Sequence, residues 1–333
     1  MKRILSFLLV IILAFAFFGC DKTEKTPSAD PADGTGSYDS AEASTARLPE
    51  VEINPLLWKV SDGRGNYIYL FGTIHAGDKR VNDALALVEK YIAECEAVAA
   101  EFDILTYQQD VAQMAKDMQV YVLTDGTKIK DHVSPELIDK ATEIIKKTGA
   151  YSPVYEQMNA AFWVQLLDEA VLMTETALSA DYGVDMNILK KCRDEGKEVL
   201  ELESAAFQYG LLCSRSDRLY EYSIKTIVEN IPELRRELES VYTAWLSGDA
   251  EMLTDMMSSE GVDDEELQRE IAEYNEDLVD NRNKGMFNKA RGWLDGGKKA
   301  FVTAGAGHMV GEGGLAELFE KAGYTVERID LKK

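Results

Sequence analysis

His75 and His308 are two of only three histidines in 333 residues, and each closes a Gly-x-x-His tetrad that directly follows a strand-like apolar run. The first copy is Tyr67-Ile68-Tyr69-Leu70-Phe71 and then Gly72-Thr73-Ile74-His75; the second is Ala300-Phe301-Val302-Thr303-Ala304 and then Gly305-Ala306-Gly307-His308. In open α/β sheets, ligands gather at the carboxyl ends of strands, so two such tetrads point to two halves of one site. Glycine at the first position, Gly72 or Gly305, tolerates positive φ and lets backbone approach a ligand. Two neutral imidazoles with one or two carboxylates form a mixed nitrogen and oxygen set that suits zinc, manganese or cobalt and leaves room for water. An ion so held acidifies its water and polarises a carbonyl, which is hydrolytic chemistry.

The carboxylates come from strand ends. Glu101 follows the apolar run Ala97-Val98-Ala99-Ala100, while Leu200-Glu201-Leu202-Glu203 places two acids on one strand face by period-two alternation. We expect His75, Glu101 and His308 to be ligands, with Glu201 or Glu203 as another ligand or as general base. Arg282 is expected either to stabilise a developing oxyanion or to pair with Asp185. Asp185 and Asn283 are otherwise read as supports, capping helices and joining the helical part of the chain to the sheet. His132, in Lys130-Asp131-His132, has no matching context and is expected to be exposed.

Positioning such a site requires a sheet. Strands are expected at Leu56 to Val60 and Tyr67 to Thr73, flanking the turn-forming Asp62-Gly63-Arg64-Gly65-Asn66 as a hairpin. A helix from Asn82 to Glu96 leads to a buried strand at Ala97 to Asp103. The end of the chain repeats this order, with a helix at Gly314 to Ala322 and a strand at Thr325 to Ile329, which predicts a pseudo-repeat holding His75 and His308 opposite one another. Between the halves lie amphipathic helical runs at Val154 to Leu178, Leu219 to Leu246 and Glu265 to Leu294, with Ser134-Pro135 opening an earlier helix and Ile231-Pro232 punctuating one run. The fold class is α/β: one domain over residues 51–333, a central sheet of two strand, Gly-x-x-His, helix, strand halves and a large helical insertion.

The amino terminus is read as an export signal. Lys2 and Arg3 precede the apolar run Ile4 to Phe18, too short for a membrane span, and Phe17-Phe18-Gly19-Cys20 resembles a lipobox whose Cys20 would be diacylated, palmitate included. Residues 21–50 are rich in Ser, Thr, Ala, Asp, Gly and Pro, as a disordered tether of about 30 Å reach would be. Two acyl chains would anchor the domain to the extracytoplasmic face of the cell membrane. The net charge of −23 argues against nucleic acid or anionic lipid surfaces as partners. Cys95 is expected in the core, and Cys192 and Cys213 are free to pair in an oxidising compartment. Gly305-Ala306-Gly307 does not complete a dinucleotide fingerprint, because Val310 stands where its third glycine belongs, and there is no Gly-x-Ser-x-Gly for a serine hydrolase.

Taken in order, Gly72 to His75, Glu101-Phe102-Asp103, Gly183-Val184-Asp185, Leu200 to Glu203, Arg282-Asn283 and Gly305 to His308 followed by Gly311 and Gly313-Gly314-Leu315 resemble the TraB/GumN family, which is related to the Tiki metalloproteases. The resemblance spans Leu56 to Ile329. It implies a divalent-metal-dependent peptidase without a His-Glu-x-x-His motif, built from the two Gly-x-x-His histidines and acidic residues and acting on a peptide or protein substrate. It also implies two alternatives, a non-catalytic lipoprotein that captures a peptide and one that captures haem.

Overall fold

The computed structural model describes residues 48–257 and 262–332. The expected signal segment, Cys20 and all but the last few residues of the expected tether lie outside them. Among the described residues no helix is long and apolar enough to cross a membrane.

Six strands form one sheet: β1 Leu57–Ser61, β2 Tyr67–Thr73, β3 Ala97–Ala100, β4 Glu198–Glu201, β5 Ala300–Gly305 and β6 Thr325–Arg328. Their order is β4-β3-β5-β2-β1-β6. Strands β4, β3, β5 and β2 are parallel, and β1 pairs antiparallel with both β2 and β6. Strands β3 and β5 are buried along their whole length and β2 nearly so, as continuous apolar runs inside a parallel sheet must be. The expected hairpin forms, with Asp62 Oδ1 accepting from the amides of Arg64 and Asn66 to close its turn.

The repeat is present in element order but not in the expected placement. Strands β2 and β5 are neighbours, with Gly72 opposite Ala304 and Thr73 opposite Gly305, so the two tetrads lie side by side rather than across the sheet. From β2 the chain crosses through helix Arg80–Ala93 toward the β4 edge; from β5 it crosses through helix Leu315–Lys321 to the other edge. Crossovers of one hand that run in opposite directions put their helices on opposite faces. The loops after β2 and β5 therefore diverge, and the gap between them is the topological switch point where open sheets form their crevice.

Two hydrophobic cores result. One joins the sheet to helices Arg80–Ala93, Val184–Asp194 and Arg282–Asp295. The other lies among helices Pro135–Lys146, Ala160–Glu175, Asp217–Glu229 and Glu265–Asn275, and Ile104 and Leu238 pack against both. Cys192 belongs to the first core and Cys213 packs against the second, and both are free thiols, so the pairing considered above does not form. Cys95 is buried as expected. His132 is not exposed: its ring lies between Thr127 Oγ1 at 2.6 Å and Asp217 Oδ2 at 2.8 Å, tying a short turn to the helical core.

Two helical runs are broken. Asn230 separates Asp217–Glu229 from Ile231–Ser247, with proline in the first turn of the second helix. The run expected over Glu265 to Leu294 contains a π-helical segment, Glu276–Asn281, between helices Glu265–Asn275 and Arg282–Asp295. Such segments rephase a helix and recur at functional sites. This one ends directly before Arg282 and Asn283.

Candidate functional site

The carboxyl ends of β2, β3, β4 and β5 bring together His75, Glu101, Glu203 and His308. Each histidine is oriented through Nδ1. His75 Nδ1 lies 2.9 Å from Asp185 Oδ2, and Asp185 is itself fixed by a 2.5 Å bond from Thr73 Oγ1. His308 Nδ1 lies 2.7 Å from Asn283 Oδ1, while Asn283 Nδ2 donates to the carbonyl of Gly313 at 2.9 Å. That second bond sets the amide so that its oxygen faces the ring, which places the proton of His308 on Nδ1. Both Nε2 atoms are buried and have no hydrogen-bond partner. A ring anchored through Nδ1 is how a metal-ligating histidine is held, its Nε2 lone pair being available once that nitrogen carries no proton.

The acids are bound differently. Arg282, with a fully buried side chain, donates from Nη2 to Glu101 Oε2 and Glu203 Oε2, both at 2.7 Å, and from Nε to Glu203 at 3.0 Å. Gln208 Nε2 donates to the same two carboxylates at 2.8 and 2.9 Å. The amide of Gly305 donates to Glu101 Oε1 at 2.9 Å, linking the β3 acid to the second tetrad. Burial works against a charge on Glu101, but Arg282, the two histidines and the Gly305 amide outweigh it and hold the carboxyl at about 2. Burial, aided by Arg282, pushes His308 down to about 3, so its imidazole is neutral. At the partly exposed His75, burial is overcome by Asp185, which raises the ring to about 9, so its Nε2 carries a proton at neutral pH that a bound cation would have to displace.

Several expectations are corrected by these contacts. Arg282 does not meet Asp185, because Asp185 is taken by His75 and Thr73. Nor is it free for an oxyanion: its side chain is wholly buried between two carboxylates and the Leu278 carbonyl. Glu201 is exposed and accepts from the amide of Asp103 at 2.9 Å, so it caps the chain after β3 instead of joining the histidines. Strand β4 ends at Glu201 and the chain bends there, so the alternation that placed Glu201 beside Glu203 does not continue. Asn283 and Asp185 orient the histidines, a closer role than capping. Gln208 was not anticipated; its signal was a lone amide in the apolar helix Ala205–Leu212.

Neither Gly72 nor Gly305 adopts positive φ, and only Gly72 is needed for close approach, since a Cβ on Gly305 would stand no nearer than 3.6 Å to any neighbour. A Cβ on Gly72 would stand 3.1 Å from Ala306 Cα, so glycine lets the two tetrads touch. At Gly183 a Cβ would stand 2.6 Å from the carbonyl oxygen of His75, although its φ of −58° suits alanine. Gly183→Ala must therefore push the His75 loop away from Asp185. A loss of about 1–3 kcal/mol, the usual cost of overpacking, is expected in urea denaturation. Unchanged stability would show that the loop yields freely.

Among the described residues, no three or more His, Cys, Asp or Glu side chains are arranged to hold a metal ion. The atoms that fit one chemically are the two orphaned Nε2 atoms and Glu101 Oε1, whose only hydrogen bond is from Gly305.

The chain is similar to two proteins named Uncharacterized protein YbaP, from Escherichia coli (strain K12) and Shigella flexneri. Each is 22% identical, over 76% and 75% of this chain and 87% and 86% of their own lengths. No solved structure matches significantly. The span from β1 to the end of β6, residues 56–328, which holds both tetrads and every site residue above, matches the TraB/PrgY/gumN family, and the chain belongs to that family.

Proposed function

We propose that the chain is a metal-dependent hydrolase of peptides, built on a Tiki-like arrangement of the two Gly-x-x-His tetrads and tethered outside the cytoplasm through Cys20. The observation that carries this reading is the pair of buried Nε2 atoms, each unpartnered while its Nδ1 is held by a neighbour. His75 and His308 would hold a divalent zinc, manganese or cobalt ion, with Glu101 Oε1 beside them. Such an ion supplies Lewis acidity and acidifies bound water. The residues themselves do the rest. Asp185 and Thr73 fix one ring, Asn283 fixes the other, and Arg282 keeps Glu101 ionised beside them. A carboxyl held at about 2 is a weak base, so Glu101 serves as an anionic partner to a cation and not as the proton acceptor.

One observation favours the second reading, capture of a peptide without cleavage: Glu101 and Glu203 are both engaged by Arg282 and Gln208, and neither is a ready general base. Haem capture is the third reading.

Metal content decides first. The protein purified without chelator, then exposed to zinc, manganese or cobalt, is expected to retain one ion, and the His75→Ala/His308→Ala double variant none. Equal metal content in both would end the hydrolase reading in favour of peptide capture, and a haem spectrum lost in the double variant would favour the third.

A further inference from the structure

A cavity opens directly beside His75. It leaves about 50 Å³ to the centres of water-sized molecules, room for roughly four heavy atoms at on the order of 10–15 Å³ each. Its walls are Ile74 and His75 after β2, Gly305 and Ala306 at the end of β5, Leu178, and Leu172, Val241 and Trp245 from the helices. The wall is mostly apolar, and Glu237 is the one acid that lines it. Trp245 is locked in place by its Nε1 donating to the Gly72 carbonyl at 2.8 Å, so one wall of the cavity is tied to the first tetrad. Water in such a space has few partners, which favours its replacement by an apolar group.

We propose that this cavity seats an aliphatic side chain, of leucine or methionine size, from a peptide whose adjoining carbonyl lies over His75 and His308. The inference rests on the peptide-hydrolase reading and deepens it by naming the side chain recognised. The continuity of the lining carries it: His75, Gly305 and Ala306 belong to the tetrads and to the cavity at once. A side chain seated there lies against His75 and against the first two residues of the tetrad that ends in His308. The volume excludes tryptophan, and the apolar walls disfavour a charged or amide side chain left without partners.

The test uses two readouts on the full-length protein. Calorimetric titration with tripeptides Ala-X-Ala, in which X is Leu, Met, Gly, Lys or Trp, reads the cavity whether or not cleavage occurs. Peptides with Leu or Met are expected to bind about ten- to hundredfold more tightly than those with Gly, the range for burying one such side chain. Val241→Phe, which fills the cavity, should remove that difference, and Leu178→Ala, which enlarges it, should shift preference toward larger side chains. Two variants of opposite effect keep the test decisive should either fail to fold. Cleavage of the same peptides with metal added is the second readout. Discrimination in binding without any cleavage would support the cavity while overturning the hydrolase. Binding that ignores X, or favours Lys through Glu237, would overturn the cavity whatever the cleavage result.

Discussion

Arg282→Met is expected to destabilise the protein by about 3–5 kcal/mol, the cost of leaving buried carboxylates without their counter-ion. The guanidinium is fully buried and makes its bonds to Glu101 and Glu203 at 2.7 to 3.0 Å. Without it, two acids from neighbouring strand ends face each other in a dry space with only Gln208 between them. The sign is diagnostic because the interaction is a network. Glu101→Gln and Glu203→Gln added to Arg282→Met remove the stranded charges, and the triple variant should recover most of the loss. Urea denaturation midpoints would show both effects. A single variant that loses less than about 1 kcal/mol, or a triple variant no better than the single, would mean that the cluster does not hold the strand ends together.

The second large effect is a gain. Asp168 and Glu169 lie on helix Ala160–Glu175 among the helical core, and each has a buried carboxylate oxygen without a partner. Burial alone raises Asp168 well above the ordinary carboxylate range and moves Glu169 from 4.5 to about 7. A carboxyl with a higher pKa folded than unfolded binds more protons in the folded state, so stability falls as pH rises. For Glu169 the stability is complete below about pH 4.5 and is lost progressively up to about 7, on the order of 3 kcal/mol for a shift of that size. Asp168→Asn/Glu169→Gln should flatten this decline and unfold at a higher temperature than the parent at pH 8. Parallel pH profiles for the two proteins would show that neither acid is as buried in solution as its surroundings indicate.

How far the site could be read from residues alone depended on how local each contact is. The tetrads were legible because a strand, a glycine and a histidine within a few positions are set by local chemistry. That β2 and β5 are adjacent was not, since strand order depends on crossover direction and not on any single segment. The partners of Arg282 were misread for the same reason. Asp185 was the acid expected beside Arg282, but the fold assigns Asp185 to His75 and gives Arg282 to Glu101 and Glu203. The π segment at Glu276–Asn281 left no mark in the apolar periodicity, yet the phase of Arg282 and Asn283 depends on it. Glu201 shows the limit of a period-two argument, which holds only while the strand does.

The pairing of β5 between β2 and β3 also sets a schedule. Gly305 donates to Glu101 from 204 residues further along the chain. At about 5–20 residues per second of synthesis, Glu101 waits roughly 10–40 s for its partner. Throughout that interval the β2 and β3 edges that β5 will occupy are open, and neither histidine has its counterpart. A chain interrupted anywhere in the helical stretch therefore holds His75 and Glu101 without His308 and the Gly305 amide, so that the cluster is assembled only when the end of the molecule is made.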